Sequence, residues 1–369
     1  MKQKIDLIWN ITRLCAWDCG FCCTDSYHVS SVDRATRIRL GGLEKTIETT
    51  NNGNVFESAL RKLQELGLEL TLKDKLTILE NLLPFNCEID FSGGDPLLNH
   101  ENLEVIRRAS QYFGRGNISI TPTGAGLSRV DPSKLCDIIG KLDFTYDNTN
   151  GKNQNNRPAG YNTSNLRKAK LFTQLGVKTK AQTPLYRENM NPDIIRSIYL
   201  DLHEARIPEL LLLRTFPVGR GIKNNITLPT LEEYVSAIHE YKQLEKKYGI
   251  PKVRLQCALK HLFPNKNKGN PCDSVRSSLG ITSLGIVLAS PWAYNHIGQP
   301  LDEQFVLGDL KKEDIKTIYF GEKAQRIMAR ADENFGHCKV FAFLNANPGS
   351  PDALFQKKDY LYNKDGIRG

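Results

Sequence analysis

The stretch "NITRLCAWDCGFCCTDS" (residues 10–26) places Cys15, Cys19, Cys22 and Cys23 within nine positions, directly after an apolar run. Thiols this close in sequence do not staple loops together, and the nine cysteines of the chain are an odd number for a disulfide framework. In a reducing compartment such a group is more often a set of metal ligands. Cys15, Cys19 and Cys22 have the spacing C-x3-C-x2-C, with Phe21 just before the last. A chain that curls on leaving a strand can bring three such thiolates to one iron–sulfur centre, for which thiolate is the preferred ligand. Three protein ligands on a four-iron cube leave one iron open to a substrate or cofactor. Zinc is the competing reading, with Cys23 closing the shell as a fourth ligand.

A second motif, "FSGGDPLL" (residues 91–98), follows a predicted strand. Alone, Gly-Gly-Asp-Pro is a common turn. Together with the cysteine spacing it resembles the radical S-adenosylmethionine (SAM) superfamily, in which C-x3-C-x-aromatic-C holds a 4Fe–4S cluster and a GGE-P turn binds the SAM amino group. The resemblance implies that Phe21, Ser92, Gly93, Gly94, Asp95 and Pro96 bind the cofactor, with Asp95 standing where the family usually has Glu. It implies an enzyme that cleaves SAM reductively and abstracts hydrogen through a 5′-deoxyadenosyl radical. A flavodoxin- or ferredoxin-type protein would supply the electron.

Further positions follow from the same resemblance. "TYDNTNGKNQNNR" (residues 145–157) is similar to the segment after the fourth strand in members with a SPASM or twitch extension, which implies that Asp147 and Arg157 approach the SAM ribose and carboxylate. Thr123 in "TPTG" and Gln182 on the fifth strand are candidates for the same pocket. "LLRTFPVGRG" (residues 212–221) resembles the last strand and its loop, which implies that Pro217 and Gly219 shape a turn over the adenosine; Arg214 and Arg220 read as surface charge, with contact to an acidic substrate group as the alternative.

Cys257, Cys272 and Cys338 lie far apart, and each taken separately reads as a small buried hydrophobe. "CDSVRSSLGITSLGIVLASPW" (residues 272–292), however, resembles the hairpin of SPASM and twitch domains, with Ser290 where their second Cys stands. That resemblance implies a second, auxiliary 4Fe–4S cluster held by Cys257, Cys272 and Cys338, with Ser290, water or substrate as fourth ligand. Cys23, Cys87 and Cys136 are assigned to structure.

The elements that must position these groups alternate along the chain. Apolar runs at 5–11, 87–91, 118–121, 142–146, 177–183 and 209–214 interleave with helical spacing at 101–113, 132–140, 163–175 and 192–206. Six such units predict an α/β fold with a parallel array. The resemblance implies a partial (β/α)6 TIM-like barrel followed by a smaller twitch/SPASM-like α+β domain. The boundaries read as 1–225 for the barrel, 226–345 for the auxiliary-cluster domain and 346–369 for a C-terminal tail. Residues 24–71 form an insertion, a candidate lid. "TLEE" at 230–233 is a capping box that opens a long helix ended by Gly249, and Gly285 marks a hairpin turn.

No apolar run reaches the length of a transmembrane helix and no signal peptide opens the chain, so the expected location is the cytoplasm. The net charge of +9 is spread along the chain. Seven Lys or Arg and no acidic residue fall between Lys246 and Lys268, around Cys257, where they could offset an anionic metal–thiolate centre. Basic residues are not interleaved with aromatics on a platform, which places RNA behind other substrates. The expected substrate is a peptide modified by cross-linking or epimerisation. A small metabolite is the alternative, RNA modification the third reading, and a non-enzymatic metal-binding module the fourth.

Overall fold

The computed structural model describes residues 4–51, 53–147, 157–263 and 269–362. Among the described residues fourteen strands form two sheets. In the large sheet β1 (Lys4–Thr12), β6 (Asn86–Gly93), β7 (Ile118–Ile120), β8 (Lys141–Thr145), β9 (Lys178–Leu185) and β10 (Glu209–Arg214) lie side by side in chain order and pair in parallel. These are the six strands the hydrophobic runs predict. Helices His100–Phe113, Pro132–Cys136, Tyr161–Gln174 and Pro192–Glu204 intervene, as parallel pairing requires.

The sheet does not stop there. β11 (Lys252–Leu255) pairs in parallel with β10 at one edge, and β12 (Ser278–Ile281) pairs in parallel with β1 at the other. β13 (Ile286–Leu288) and β14 (Val306–Asp309) continue antiparallel from β12, giving ten strands in one sheet. The chain after residue 225 therefore completes both edges of the parallel array. Its long helix Leu231–Tyr248 starts at the capping box of Thr230 and Glu233, and Gly249 caps its end at φ +86°. Gly285 turns the β12–β13 hairpin at φ +86°.

The insertion builds the second sheet, in the order β2 (Leu14–Cys15), β3 (Tyr27–Val32), β4 (Ala35–Leu40) and β5 (Lys45–Thr50). Helix Val55–Glu65 closes it over a small core of Leu14, Tyr27, Val29, Ile38, Leu40, Phe56, Leu60 and Leu63. Because Cys15 pairs with His28 across β2 and β3, the insertion is bonded directly to the start of the cysteine loop.

Strand alternation divides the large sheet into two faces. On β1, Ile5, Leu7, Trp9 and Ile11 enter the apolar core; on β6, Cys87, Ile89 and Phe91 do the same. The opposite face carries Asp6, Ile8 and Asn10, then Glu88, Asp90 and Ser92, and continues as Asp143 and Thr145 on β8 and Lys180 and Gln182 on β9. Parallel strands covered on both sides are usually apolar throughout. Here one face is polar, and it encloses a chamber.

Residues 346–362 are anchored, although the sequence reads there as a tail. Leu354, Phe355 and Leu361 are buried, and Asp359 pairs with Arg214 through two bonds of 2.6 and 2.8 Å with both side chains fully buried. Arg214 is thus no surface charge; its guanidinium also lies 3.4 Å from the centre of the Phe341 ring. Burial opposes the Asp359 charge, but the Arg214 guanidinium beside it outweighs that and holds the carboxyl below its ordinary range. Asp359→Asn leaves the Arg214 charge buried without a counter-charge, at an expected cost of about 3–5 kcal/mol. Since the folded value is depressed, the pair's contribution is complete above the ordinary carboxylate pKa and is lost as pH falls through the folded value. Urea denaturation of wild type and Asp359→Asn should therefore differ most near neutrality and converge in acid.

Candidate functional site

The cysteine loop leaves β1 and β2 and runs directly beside the end of β6. Gly94 N–H donates to Thr12 O at 2.8 Å and Asp95 N–H to Leu14 O at 2.7 Å. A Cβ on Gly93 would stand 2.3 Å from Thr12 O, and one on Gly94 would stand 2.0 Å from Leu14 O. Gly93 also has φ +115°. Both glycines are required because two backbones touch where side chains would otherwise separate them. The contact brings the Gly-Gly turn and the thiols to one cavity, lined by Cys15, Cys19, Phe21, Cys22, Cys23, Ser92, Gly93, Gly94, Thr123 and Gln182.

Asp95, Pro96, Asp147 and Arg157 do not line that cavity, and Asp95, Asp147 and Arg157 support it from behind. Asp95 is fully buried, and its carboxylate accepts from Leu97 N–H at 3.0 Å, Thr123 N–H at 3.2 Å, Gly126 N–H at 2.8 Å and the Thr123 hydroxyl. It clamps the loop after β7 onto the Gly-Gly turn, and burial raises its pKa. Asp147, also fully buried, pairs with Arg157 and accepts from the Tyr161 hydroxyl. Arg157 in turn donates Nε–H to Cys19 Sγ at 3.4 Å and lies 5.0 Å from the centre of the Phe21 ring. Residues 148–156, within the segment that carries these two, lie outside the described residues.

Arg220, read from the sequence as surface charge, is buried and holds the cysteine loop closed. Its guanidinium donates to Asp25 Oδ1 at 3.2 Å, Asp18 Oδ1 at 2.9 Å, Cys19 O at 2.8 Å and Ser26 O at 2.5 Å. Asp25 bridges onward to Arg13 at 3.1 Å and to Gly42 N–H at 2.8 Å in the insertion. Gly219 precedes Arg220 at φ +54°, where a Cβ would stand 2.2 Å from Cys23 O.

These charges act on the thiols. Burial raises Cys15 and Cys19, with Arg157 opposing the rise at Cys19. Burial also acts on Cys22, but the Arg220 charge and hydrogen bonds involving Ser26 and Thr24 outweigh it, and Cys22 falls below the ordinary thiol value. Among the described residues no three His, Cys, Asp or Glu side chains form a single-ion shell. A four-iron cluster, which takes one thiolate per iron, does not need one. Three thiols on one wall, two of them beside a buried arginine, suit such a group.

A second cavity adjoins the first and shares with it Ile8, Ser92, Thr121, Gln182, Leu213 and Phe216. Its far wall carries Cys257, Cys272 and Cys338 with Ser274, Ser290 and Gln256. The three thiols are raised first by burial; the Asp273 charge and then neighbouring thiols add to the rise at Cys257, and the Asp359 charge adds to it at Cys338. The buried ammonium of Lys339 lines the same wall, so the positive charge expected from residues 246–268 comes in part from elsewhere. Lys266 and Lys268 of that run lie outside the described residues.

The second cavity is also lined by a polar group that the sequence reading missed. Asp90 accepts from Ser119 at 3.2 Å and Thr121 at 3.0 Å; Asp143 accepts from Gln182 at 2.8 Å and Lys180 at 2.7 Å. Burial, reinforced by the Asp143 charge, raises the Asp90 carboxyl. The signal was present in "CEIDF", where the acidic residues occupy alternate positions of a strand whose other face is apolar.

No protein-family model and no curated protein matches the chain. Solved structures do. SuiB of Streptococcus suis bound to S-adenosylmethionine aligns over 88% of this chain and 68% of its own, with a TM-score of 0.56 at 13% identity. SuiB bound to precursor peptide SuiA aligns over 89% and 67%, at 0.54 and 13%. anSMEcpe with bound AdoMet aligns over 89% and 84%, at 0.57 and 15%. The fold is therefore the one these proteins share, a mixed α/β architecture built on a large parallel sheet.

The close approach of the two backbones yields a test. Gly94→Ala should displace Leu14 and Cys15, cost about 1–3 kcal/mol by overpacking, and lower the iron retained after anaerobic reconstitution. Gly116→Ala, where a Cβ meets open space, should leave both unchanged.

Proposed function

We propose that this chain is a radical SAM enzyme that acts on a peptide. The observation that carries the reading is the meeting of Cys15, Cys19 and Cys22 with the Gly93–Gly94 turn on one cavity wall. Cys15, Cys19 and Cys22 would hold a 4Fe–4S cluster, and the open iron would face SAM. When bound, the cluster and SAM supply a 5′-deoxyadenosyl radical that abstracts a hydrogen atom from substrate.

The chain's own part is to bind, orient and exclude water. Arg220 and Asp25 fix the loop that carries the thiols, and Arg157 places positive charge against Cys19. Asp95 and Thr123 hold the cofactor cavity between β6 and β7, while Ser92 is set by a 3.0 Å bond to Asn10 Oδ1. Trp292 and Phe216 stack with ring centres 5.3 Å apart where the two cavities join. Beyond them the Asp90–Asp143–Lys180 group offers a polar floor for the reacting residue and an acceptor for a proton lost from it.

Residues 226–345 are read as the unit that carries an auxiliary cluster on Cys257, Cys272 and Cys338. A peptide substrate is supported by the relatives of this fold: SuiB was solved with precursor peptide SuiA and anSMEcpe with the Kp18Cys peptide. Among the described residues no helix is long and apolar enough to cross a membrane. A flavodoxin- or ferredoxin-type donor would deliver the electron.

The chain reconstituted with iron and sulfide should release 5′-deoxyadenosine from SAM on addition of dithionite. Cys15→Ala, Cys19→Ala and Cys22→Ala should each abolish that release. Deoxyadenosine at the wild-type rate from any of the three would overturn the reading.

A further inference from the structure

Gln256 is the last residue before Cys257, at the end of β11. Its backbone N–H donates to Leu212 O at 3.0 Å, which continues the β10–β11 pairing by one residue. The residue is 7% exposed, and its side-chain Oε1 accepts the backbone N–H of Arg214 at 2.8 Å. That bond determines which end of the amide is which. A backbone N–H is only a donor, so the atom facing it is the oxygen, and the other end is the NH2 group.

That NH2 group is buried and has no hydrogen-bond partner among the described residues. An unmade hydrogen bond on a buried donor costs about 1–3 kcal/mol, which natural chains rarely leave uncompensated. Gln256 lines the same cavity as Cys257, Cys272 and Cys338, and it directly precedes Cys257. The lining also contains Lys339, but its Nζ is occupied, donating to Asn334 Oδ1 at 3.0 Å and Ala331 O at 3.3 Å. The amide of Gln256 is therefore a donor held in place on one side and unmatched on the other, in a cavity lined by three thiols.

We propose that Gln256 Nε2 donates an N–H···S hydrogen bond to the auxiliary cluster held by Cys257, Cys272 and Cys338, and thereby sets its reduction potential. This rests on the auxiliary-cluster reading above. Gln256 is a positioning residue: it ligates no iron and touches no substrate. Hydrogen bonds to cluster sulfurs stabilise the more negative, reduced state and raise the potential. Arg214 makes the arrangement rigid, since its backbone orients the amide while its side chain is locked to Asp359.

The test uses the reconstituted full chain and needs no substrate. Iron is counted, each cluster's midpoint potential is measured by EPR-monitored titration, and the variants are Gln256→Glu and Gln256→Met. Glu keeps the acceptor for Arg214 N–H and loses the donor; Met loses both with little change in volume. About eight irons per chain, as two 4Fe–4S clusters require, are expected in all three proteins. The auxiliary potential should move to more negative values in both variants, with the Cys15–Cys19–Cys22 cluster unmoved. In wild type, side-chain 15N-labelled glutamine should give a hyperfine coupling to the reduced auxiliary cluster. Eight irons with unchanged potentials and no 15N coupling would overturn the inference and leave the cluster reading intact. About four irons in wild type would overturn the cluster reading itself. Loss of iron in the variants, with no 15N coupling in wild type, would make Gln256 a structural support and also sink the proposal.

Discussion

The site rests on one close contact between two pieces of backbone. The end of β6 passes against the chain leaving β1, near enough that Thr12 and Leu14 carbonyls accept from Gly94 and Asp95. Only glycine permits this approach at positions 93 and 94. Everything that follows is registered to it. The thiol loop starts at Leu14, the insertion pairs with Cys15, and Asp95 carries the constraint on to the loop after β7. The C-terminal half then closes the far side, because β12 pairs with β1 and β11 with β10.

Three buried arginines do much of the remaining work, and each is met by a carboxylate. Arg220 is met by Asp18, Asp25 and two carbonyls; Arg157 by Asp147; Arg214 by Asp359. Buried ion pairs contribute little net stability on their own, but removing one partner is strongly unfavourable. They suit a loop whose geometry must be maintained around a reactive centre. Each of the three arginines also places its charge near a thiol, acting on Cys22, Cys19 and Cys338 respectively. Loop rigidity and electrostatic support for thiolates thus come from the same side chains.

The six parallel strands were legible because apolar runs and helical spacing alternate cleanly, and the cysteine and glycine motifs stand in local sequence. The roles of Arg214 and Arg220 were not legible. A lone arginine in a strand or loop looks like surface charge until its partner is known, and the partners lie 145 and 195 residues away. The same distance hid the anchoring of residues 346–362, whose binding group is Asp359. The polar chamber was missed for a different reason. Asp90, Asp143 and Lys180 interrupt strands that read as buried, and the alternation in "CEIDF" marks a polar face without showing that this face looks into a cavity.

The central claim is that Cys15, Cys19 and Cys22 would hold a 4Fe–4S cluster that binds SAM beside the Gly93–Gly94 turn. The most direct measurement is the EPR spectrum of the reduced, reconstituted Cys257→Ala/Cys272→Ala/Cys338→Ala chain with and without SAM. The account predicts a 4Fe–4S signal from the first site alone that changes when SAM is added. A signal indifferent to SAM, or bound zinc with no iron–sulfur signal, would contradict it.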